Sequence, residues 1–236
     1  MNIIKELLNA IFPKHYACLL CGKEIFDGGD FCTKCQTRLT FNNEFTCPVC
    51  GRRTEAEGIC TECKQQPPQF DKGVSAFVYE DGARDLILKF KKDRAFLKEY
   101  LARQMYEKCS AFTDADAICF IPMTAKAYRN RGYNQAELLA EELSKLLSLP
   151  LLKNAIQKVK QSSSQKTLTR VERSKNLQGC FKADREVVKD KTLIVVDDVL
   201  TTGATADAVC KELKKRGAKK LYFATVASVE YKLELS

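Results

Sequence analysis

Leu193-Ile-Val-Val-Asp-Asp-Val-Leu-Thr-Thr-Gly-Ala-Thr205 is the stretch on which the reading of this chain turns. Leu193 to Val196 are apolar and mostly β-branched, as in a strand buried on both faces. Asp197 and Asp198 follow at its carboxyl end, then a loop of Thr201, Thr202, Gly203, Ala204 and Thr205, and a helical pattern runs from about Thr205 to Arg216. Ligands of open α/β sheets bind at such strand-to-helix junctions.

The residue types suit a sugar carrying a phosphate. A loop that enters a helix amino-terminus presents unpaired amides and the positive end of the helix dipole. The hydroxyls of Thr201, Thr202 and Thr205 add donors, and Gly203 permits close approach or a positive φ. Asp197 and Asp198 would repel a phosphate that shared their pocket, so they face sugar hydroxyls or a Mg²⁺ ion. Reading the acids as a mere strand end and the threonines as a mere cap leaves their fixed order unexplained. The stretch resembles the phosphoribosyl pyrophosphate (PRPP) signature of type I phosphoribosyltransferases. That resemblance implies that the acid pair holds ribose hydroxyls and the loop holds the 5-phosphate, with Mg²⁺ accompanying PRPP. The rival GxxxxGK[ST] and strand-bound GxGxxG motifs are absent from the sequence.

A chain of 236 residues accommodates one substantial core and a small accessory module. Its net charge of +9 is unevenly spread: residues 1–71 hold eight basic and nine acidic side chains, so the excess lies downstream. A basic domain invites a polyanion, either nucleic acid or a polyphosphorylated substrate. A basic surface serving solubility alone is the plainer alternative. No apolar run reaches membrane-spanning length, and Met1 to Phe12 lacks a signal-peptide cleavage pattern. The helical spacing of Ile3, Ile4, Leu7, Leu8 and Ile11 suggests a docking helix instead. The expectation is a soluble cytoplasmic protein without membrane insertion.

The amino-terminal part is an internal repeat. Cys18-Leu-Leu-Cys21-Gly22 precedes Cys32-Thr-Lys-Cys35, and Cys47-Pro-Val-Cys50-Gly51 precedes Cys60-Thr-Glu-Cys63, with offsets of 29 and 28 residues. The glycine after each first pair allows the turn that aims both thiolates at one metal. Four thiolates per site suit closed structural Zn²⁺ and leave His15 surplus. Repetition favours Cys18, Cys21, Cys32 and Cys35 on one ion and Cys47, Cys50, Cys60 and Cys63 on the other, with a cross-braced arrangement left open. So small a segment needs such staples to fold.

Gln65 to Pro68 reads as a linker, and it separates residues 1–68, the helix and double ribbon, from an α/β domain over 69–236. In that domain the pattern predicts a strand over Gly73–Tyr79, helices over Ala83–Phe90 and about Phe96–Cys109, and a buried strand over Ala117–Met123. Lys126 to Gln135 is expected to run between strand end and helix start, and a helix follows from Ala136 to Leu147. Arg129, Arg131 and Gln135 thus fall on the sheet edge that holds Asp197, where arginine forks suit pyrophosphate. Phe90 among Lys89, Lys91 and Lys92, with Tyr128 and Tyr133 among the arginines, is the chemistry of single-strand binding; the same aromatics also suit a core. From Lys153 to Lys191 the chain is polar and basic, and Gln161 to Gln165 reads as a mobile segment able to close over a ligand. A strand over about Leu221–Ala227 completes the pattern.

These pieces together resemble the ComF family of late competence proteins over nearly the whole chain. The resemblance rests on the double CxxC module, the lysine segment at Lys89, the Arg131-Gly-Tyr-Asn-Gln135 box, the Gln165 to Asn176 segment with Leu168 and Arg173, and the PRPP-like loop. Thr124 stands where the family has the second proline of Pro-x-Pro, and Lys92 where it has glycine. The resemblance implies a type I phosphoribosyltransferase fold, a twisted parallel sheet with flanking helices, behind a small double zinc ribbon. It further implies PRPP binding at Asp197, Asp198 and Thr201 to Thr205, and pyrophosphate or DNA contacts at Lys89, Arg129, Arg131, Gln135 and Arg173. A role in natural transformation follows, handling single-stranded DNA beside a helicase-like translocase. An active phosphoribosyltransferase with an unidentified nucleobase-like or amine acceptor is the enzymatic alternative, and an adaptor that docks a protein on its zinc module is a third.

Overall fold

The computed structural model describes residues 17–26, 28–160 and 176–230. The expected amino-terminal helix, His15, the Gln161–Gln165 segment, Leu168 and Arg173 lie outside them.

In chain order, two short helices of the cysteine module, α1 (Thr33–Gln36) and α2 (Thr61–Gln65), precede β1 (Lys72–Val78), α3 (Asp81–Lys92) and α4 (Lys98–Cys109). Then come β2 (Ala117–Phe120), α5 (Ala125–Arg131), α6 (Gln135–Leu147), β3 (Ile156–Lys158), β4 (Phe181–Ala183), α7 (Arg185–Val188), β5 (Thr192–Leu200), α8 (Ala204–Lys215) and β6 (Lys220–Ser228).

The large sheet has the order β1-β6-β5-β2, and every pairing in it is parallel. β5 and β6 are the continuous apolar runs that a sheet covered on both faces demands, and Leu193 to Val196 are fully buried. Helices α4 and α6 pack on one another and on this sheet. The chain travels one way from β1 to β2 and the other way from β2 through β5 to β6. The reversal comes only after α6, because Leu151 bridges Ile118 in parallel beyond β2, so right-handed crossovers leave α4 and α6 on one face and put α8, between β5 and β6, on the other. β3 and β4 form a separate antiparallel hairpin, and β4 packs on α8.

Two boundaries differ from the sequence reading in ways that matter. β5 does not stop at Val196: Asp197 pairs with Thr225 and Leu200 with Ser228 on β6, so both acids lie within the strand. β2 ends at Phe120, after which the Ile121 amide donates to the Val196 carbonyl and Pro122 leads the chain out. β5 thus projects past its neighbour, and the open edge beside Asp197 lies where the connections leave β2 and β5 for opposite faces.

The cysteine module is not a separate bead. Its buried residues, including Cys18, Leu20, Cys47 and Cys50, belong to the same apolar cluster as Phe77, Leu86 and Phe223 of the α/β part. The first repeat meets α4 through Phe31 against Tyr100, ring centroids 5.0 Å apart, and through Asp30 with Arg103 at 3.1 Å. The second repeat lies on β1, where the Gly73 amide donates to Val49 O at 2.7 Å.

Candidate functional site

At the carboxyl end of β5 the local chemistry is set by crowding of like charge. Asp197 and Asp198 are neighbours in a half-buried position, and the Asp198 amide donates to Asp197 Oδ1 at 2.8 Å. Burial first, and the Asp198 charge second, push the Asp197 carboxyl up to about 8. The ammonium groups of Lys91 and Lys158 oppose that rise. Lys91 Nζ sits 2.9 Å from Asp198 Oδ2, and the Asp198 side chain is only 14% exposed. Lys158, on β3, has its own ammonium pushed below the ordinary lysine range by burial, and it rests 5.4 Å from the Phe181 ring centroid.

The loop after the acids has the expected geometry. Gly203 is left-handed at φ 80° and directly precedes α8, so the Ala204 to Ala206 amides have no carbonyl partner within this twelve-residue helix. Thr202 Oγ1 accepts from the Ala204 amide at 3.4 Å, while Thr201 is exposed and Thr205 half-buried. A cavity of about 590 Å³ adjoins the loop, lined by Thr201, Thr202 and Val229 together with Arg52, Glu62, Gln65 and Gln66 of the cysteine module.

The structure distributes the other expected contact residues unevenly. Lys89 points away from the acids and donates from Nζ to the Leu20 carbonyl in the first cysteine knuckle. Lys91, two residues on and about 200° round α3, takes the place beside Asp198. Phe90 is 0% exposed and belongs to the core, and the Tyr133 hydroxyl donates to the Phe90 carbonyl. The Phe90 ring is therefore not free to stack on a base, and the Tyr133 ring is half-buried with its hydroxyl tethered. Tyr128 is 47% exposed, and it lies on α5 with the exposed Lys126, Arg129 and Arg131. The expected connection after β2 is thus partly helical. Thr124 starts α5 by accepting from the Ala127 amide at 3.2 Å, and Gly132 ends it in the left-handed conformation at φ 84°. A proline at 124 would supply no such hydroxyl.

Gln135 is buried rather than presented: its Oε1 accepts from Arg131 Nη1 at 2.8 Å, and its Nε2 has no partner among the described residues. Lys158 was not legible as a site residue, and Lys91 was legible only as one of the cations around Phe90, not as the partner of Asp198. Lys91 differs from Lys89 only by helical phase, and Lys158 lies in a polar run whose hairpin has three-residue strands.

The eight knuckle cysteines form two clusters, Cys18, Cys21, Cys32 and Cys35, and Cys47, Cys50, Cys60 and Cys63, with the sulfurs of each set within 4.8 Å of one another. That is the sequential grouping. Cys21 and Cys32 sulfurs are 3.9 Å apart and Cys50 and Cys60 sulfurs 3.7 Å, close to the ~3.8 Å edge of a tetrahedron with ~2.3 Å Zn–S bonds. The repeat persists in the backbone. Cys18 N donates to Lys23 O and Gly22 N to Cys18 O, while Cys47 N donates to Arg52 O and Gly51 N to Cys47 O. Among the described residues, no helix is long and apolar enough to cross a membrane.

Comparison with known proteins places this architecture. Residues 7–64 match the double zinc ribbon domain and residues 132–235 the phosphoribosyl transferase domain. The chain is therefore a zinc-ribbon protein with a phosphoribosyltransferase-type α/β fold. It is 29% identical over 219 residues to Competence protein F of Haemophilus influenzae, covering 88% of this chain and 94% of the relative. It is 28% identical over 211 residues to DNA utilization protein YhgH of Escherichia coli, covering 85% and 92%. Competence protein ComFC of Streptococcus pneumoniae is 27% identical over 219 residues, covering 86% and 95%. The chain is thus similar over most of its length to these competence and DNA utilization proteins, in line with its resemblance to the ComF family. Among solved structures, a purine phosphoribosyltransferase from Pyrococcus horikoshii aligns over 56% of this chain and 74% of its own, at 24% identity and a TM-score of 0.35.

Proposed function

We propose that the β5 edge binds phosphoribosyl pyrophosphate, and that the protein serves the handling of single-stranded DNA. The observation that carries the ligand is the succession on one strand end of an acid pair and a glycine-hinged threonine loop at a helix amino-terminus. Asp197 and Asp198 accept hydrogen bonds from the ribose hydroxyls, and Thr201 to Thr205 donate to the 5-phosphate. Lys91 and Lys158, the cations already facing the acids, are the lysines placed to meet the pyrophosphate in the role the sequence reading gave to Lys89. Mg²⁺ enters with the pyrophosphate as its counter-ion. Zn²⁺ at the two tetrads is structural.

The DNA role is supported by kinship with proteins named for competence and DNA utilization, and by the cationic, tyrosine-bearing surface of α5 beside the site. A translocase partner in the cytoplasm is consistent with that role.

Titration calorimetry with PRPP and Mg²⁺ tests the site. The wild-type protein binds, and the variant combining Asp197→Asn with Asp198→Asn loses binding by tenfold or more while retaining two zinc ions. Equal affinity in that variant sinks the assignment. Pyrophosphate release above spontaneous donor breakdown in the same solutions would select the transferase reading over a binding role.

A further inference from the structure

The second zinc knuckle reaches the threonine loop through one buried side chain. Arg52 directly follows Cys50-Gly51, and its carbonyl closes the knuckle by accepting from the Cys47 amide at 2.8 Å. Its side chain is only 4% exposed and pairs through Nη1 with Glu62, which lies between the ligand cysteines Cys60 and Cys63. Nη2 donates to the Thr201 carbonyl, across 149 positions of sequence.

The knuckle that carries Arg52 is itself pressed onto the sheet. A Cβ on Gly51 would lie 2.4 Å from Gly73 O, and Asn42 Nδ2 donates to Gly51 O at 2.6 Å. Arg52 thus projects from a fixed base into a fixed place. Its Nε has no partner among the described residues, so the side chain is held by its two forked nitrogens alone.

We propose that Arg52 is a positioning residue for the Thr201–Thr205 loop. A trans peptide is planar, with its C=O and N–H pointing in opposite directions. Holding the Thr201 carbonyl on the ribbon side therefore turns the Thr202 amide towards the other side, where the loop faces its ligand. Arginine suits the task because its planar fork spans a carboxylate and a carbonyl at once, which an ammonium cannot do in the same geometry. The second zinc knuckle thereby sets the donor geometry of the loop through Arg52. The ligand side of this inference rests on the PRPP reading above; the loop ordering does not.

The test uses full-length, zinc-loaded protein and two readouts, amide hydrogen exchange over residues 199–206 and calorimetric affinity for PRPP with Mg²⁺. Arg52→Gln combined with Glu62→Gln leaves no orphaned buried charge. It should keep two zinc ions, exchange faster in the loop and bind PRPP about tenfold or more weakly, the equivalent of one charge-assisted hydrogen bond. Arg52→Lys should recover part of both losses. Wild-type exchange and affinity in the zinc-loaded double variant would overturn the proposal. If that variant loses zinc, Arg52→Lys decides: wild-type loop exchange there overturns it equally. Faster loop exchange in a protein whose wild type binds no PRPP would uphold the clamp and remove the PRPP reading instead.

Discussion

Asp197 is held in a state its unfolded counterpart would not adopt. With its carboxyl pushed up to about 8 from an ordinary 3.8, the native chain keeps a proton that the unfolded chain sheds near pH 4. Stability contributed by this group is therefore whole below pH 4 and is lost progressively as pH rises to about 8. Above that, the site holds two adjacent carboxylates against Lys91 and Lys158. Asp197→Asn mimics the protonated form at every pH. It should raise the melting temperature of the ligand-free protein at pH 8.5 by a few degrees, from a gain of ~1 kcal/mol or more, and leave it unchanged near pH 4. Thermal unfolding followed by circular dichroism across that range gives the answer, and a variant equally stable or less stable at pH 8.5 would refute the account. The acids were legible in the sequence as ligand-binding residues. That one of them holds its proton near neutrality was not, because the cause is desolvation by a sheet that closes around it, with the Asp198 charge adding to it and two lysines distant in sequence only partly opposing it.

At the scale of the elements, repetition in sequence gave way to difference in position. The two CxxCG knuckles make the same backbone hydrogen bonds, and their glycines are both left-handed, Gly22 at φ 78° and Gly51 at φ 71°. Only their surroundings differ: nothing lies within 4 Å of a Cβ on Gly22, whereas one on Gly51 would strike Gly73 O and Val74 Cα. Gly22→Ala should cost ~1 kcal/mol, the strain of a left-handed alanine. Gly51→Ala adds a backbone clash that no rotamer relieves and should cost ~3 kcal/mol or more. Chemical denaturation of the two zinc-loaded variants separates the cases, and equal losses would show that the second knuckle is not wedged on β1. Patterning resolved the long elements, β5, β6, α6 and α8, within a few residues. Among the elements it missed were α5, whose start depends on the Thr124 cap, and the β3–β4 hairpin, whose strands are too short to show a period.

For the whole molecule, the distribution of charge is more informative than its sum. Many of the excess cations of the α/β part are neutralised locally: Lys98 and Lys145 by Glu142, Lys153 by Glu137 and Glu141, Lys214 by Asp71 and Lys220 by Asp114. Lys126 and Arg129 on α5 are exposed and have no ion pair with any described residue, and Tyr128 stands between them. That makes this short helix, at the rim of the β5 site, a candidate contact for a polyanion. The core position of Phe90 removes that ring as a stacking platform and leaves Tyr128 on α5 as the exposed ring to test beside the site. Each phosphate neutralised on a single strand contributes a slope of about −0.7 to the dependence of log affinity on log salt. Lys126→Gln with Arg129→Gln should therefore weaken binding of an oligothymidylate and make that slope shallower by about 1.4. Tyr128→Ala should weaken binding by ~1–3 kcal/mol, one base stack, with no change of slope. Fluorescence anisotropy between 50 mM and 300 mM NaCl measures both quantities. An unaltered slope in the double variant would place the DNA elsewhere on the molecule, and a slope change in Tyr128→Ala would mean that the ring orients the cations and does not stack.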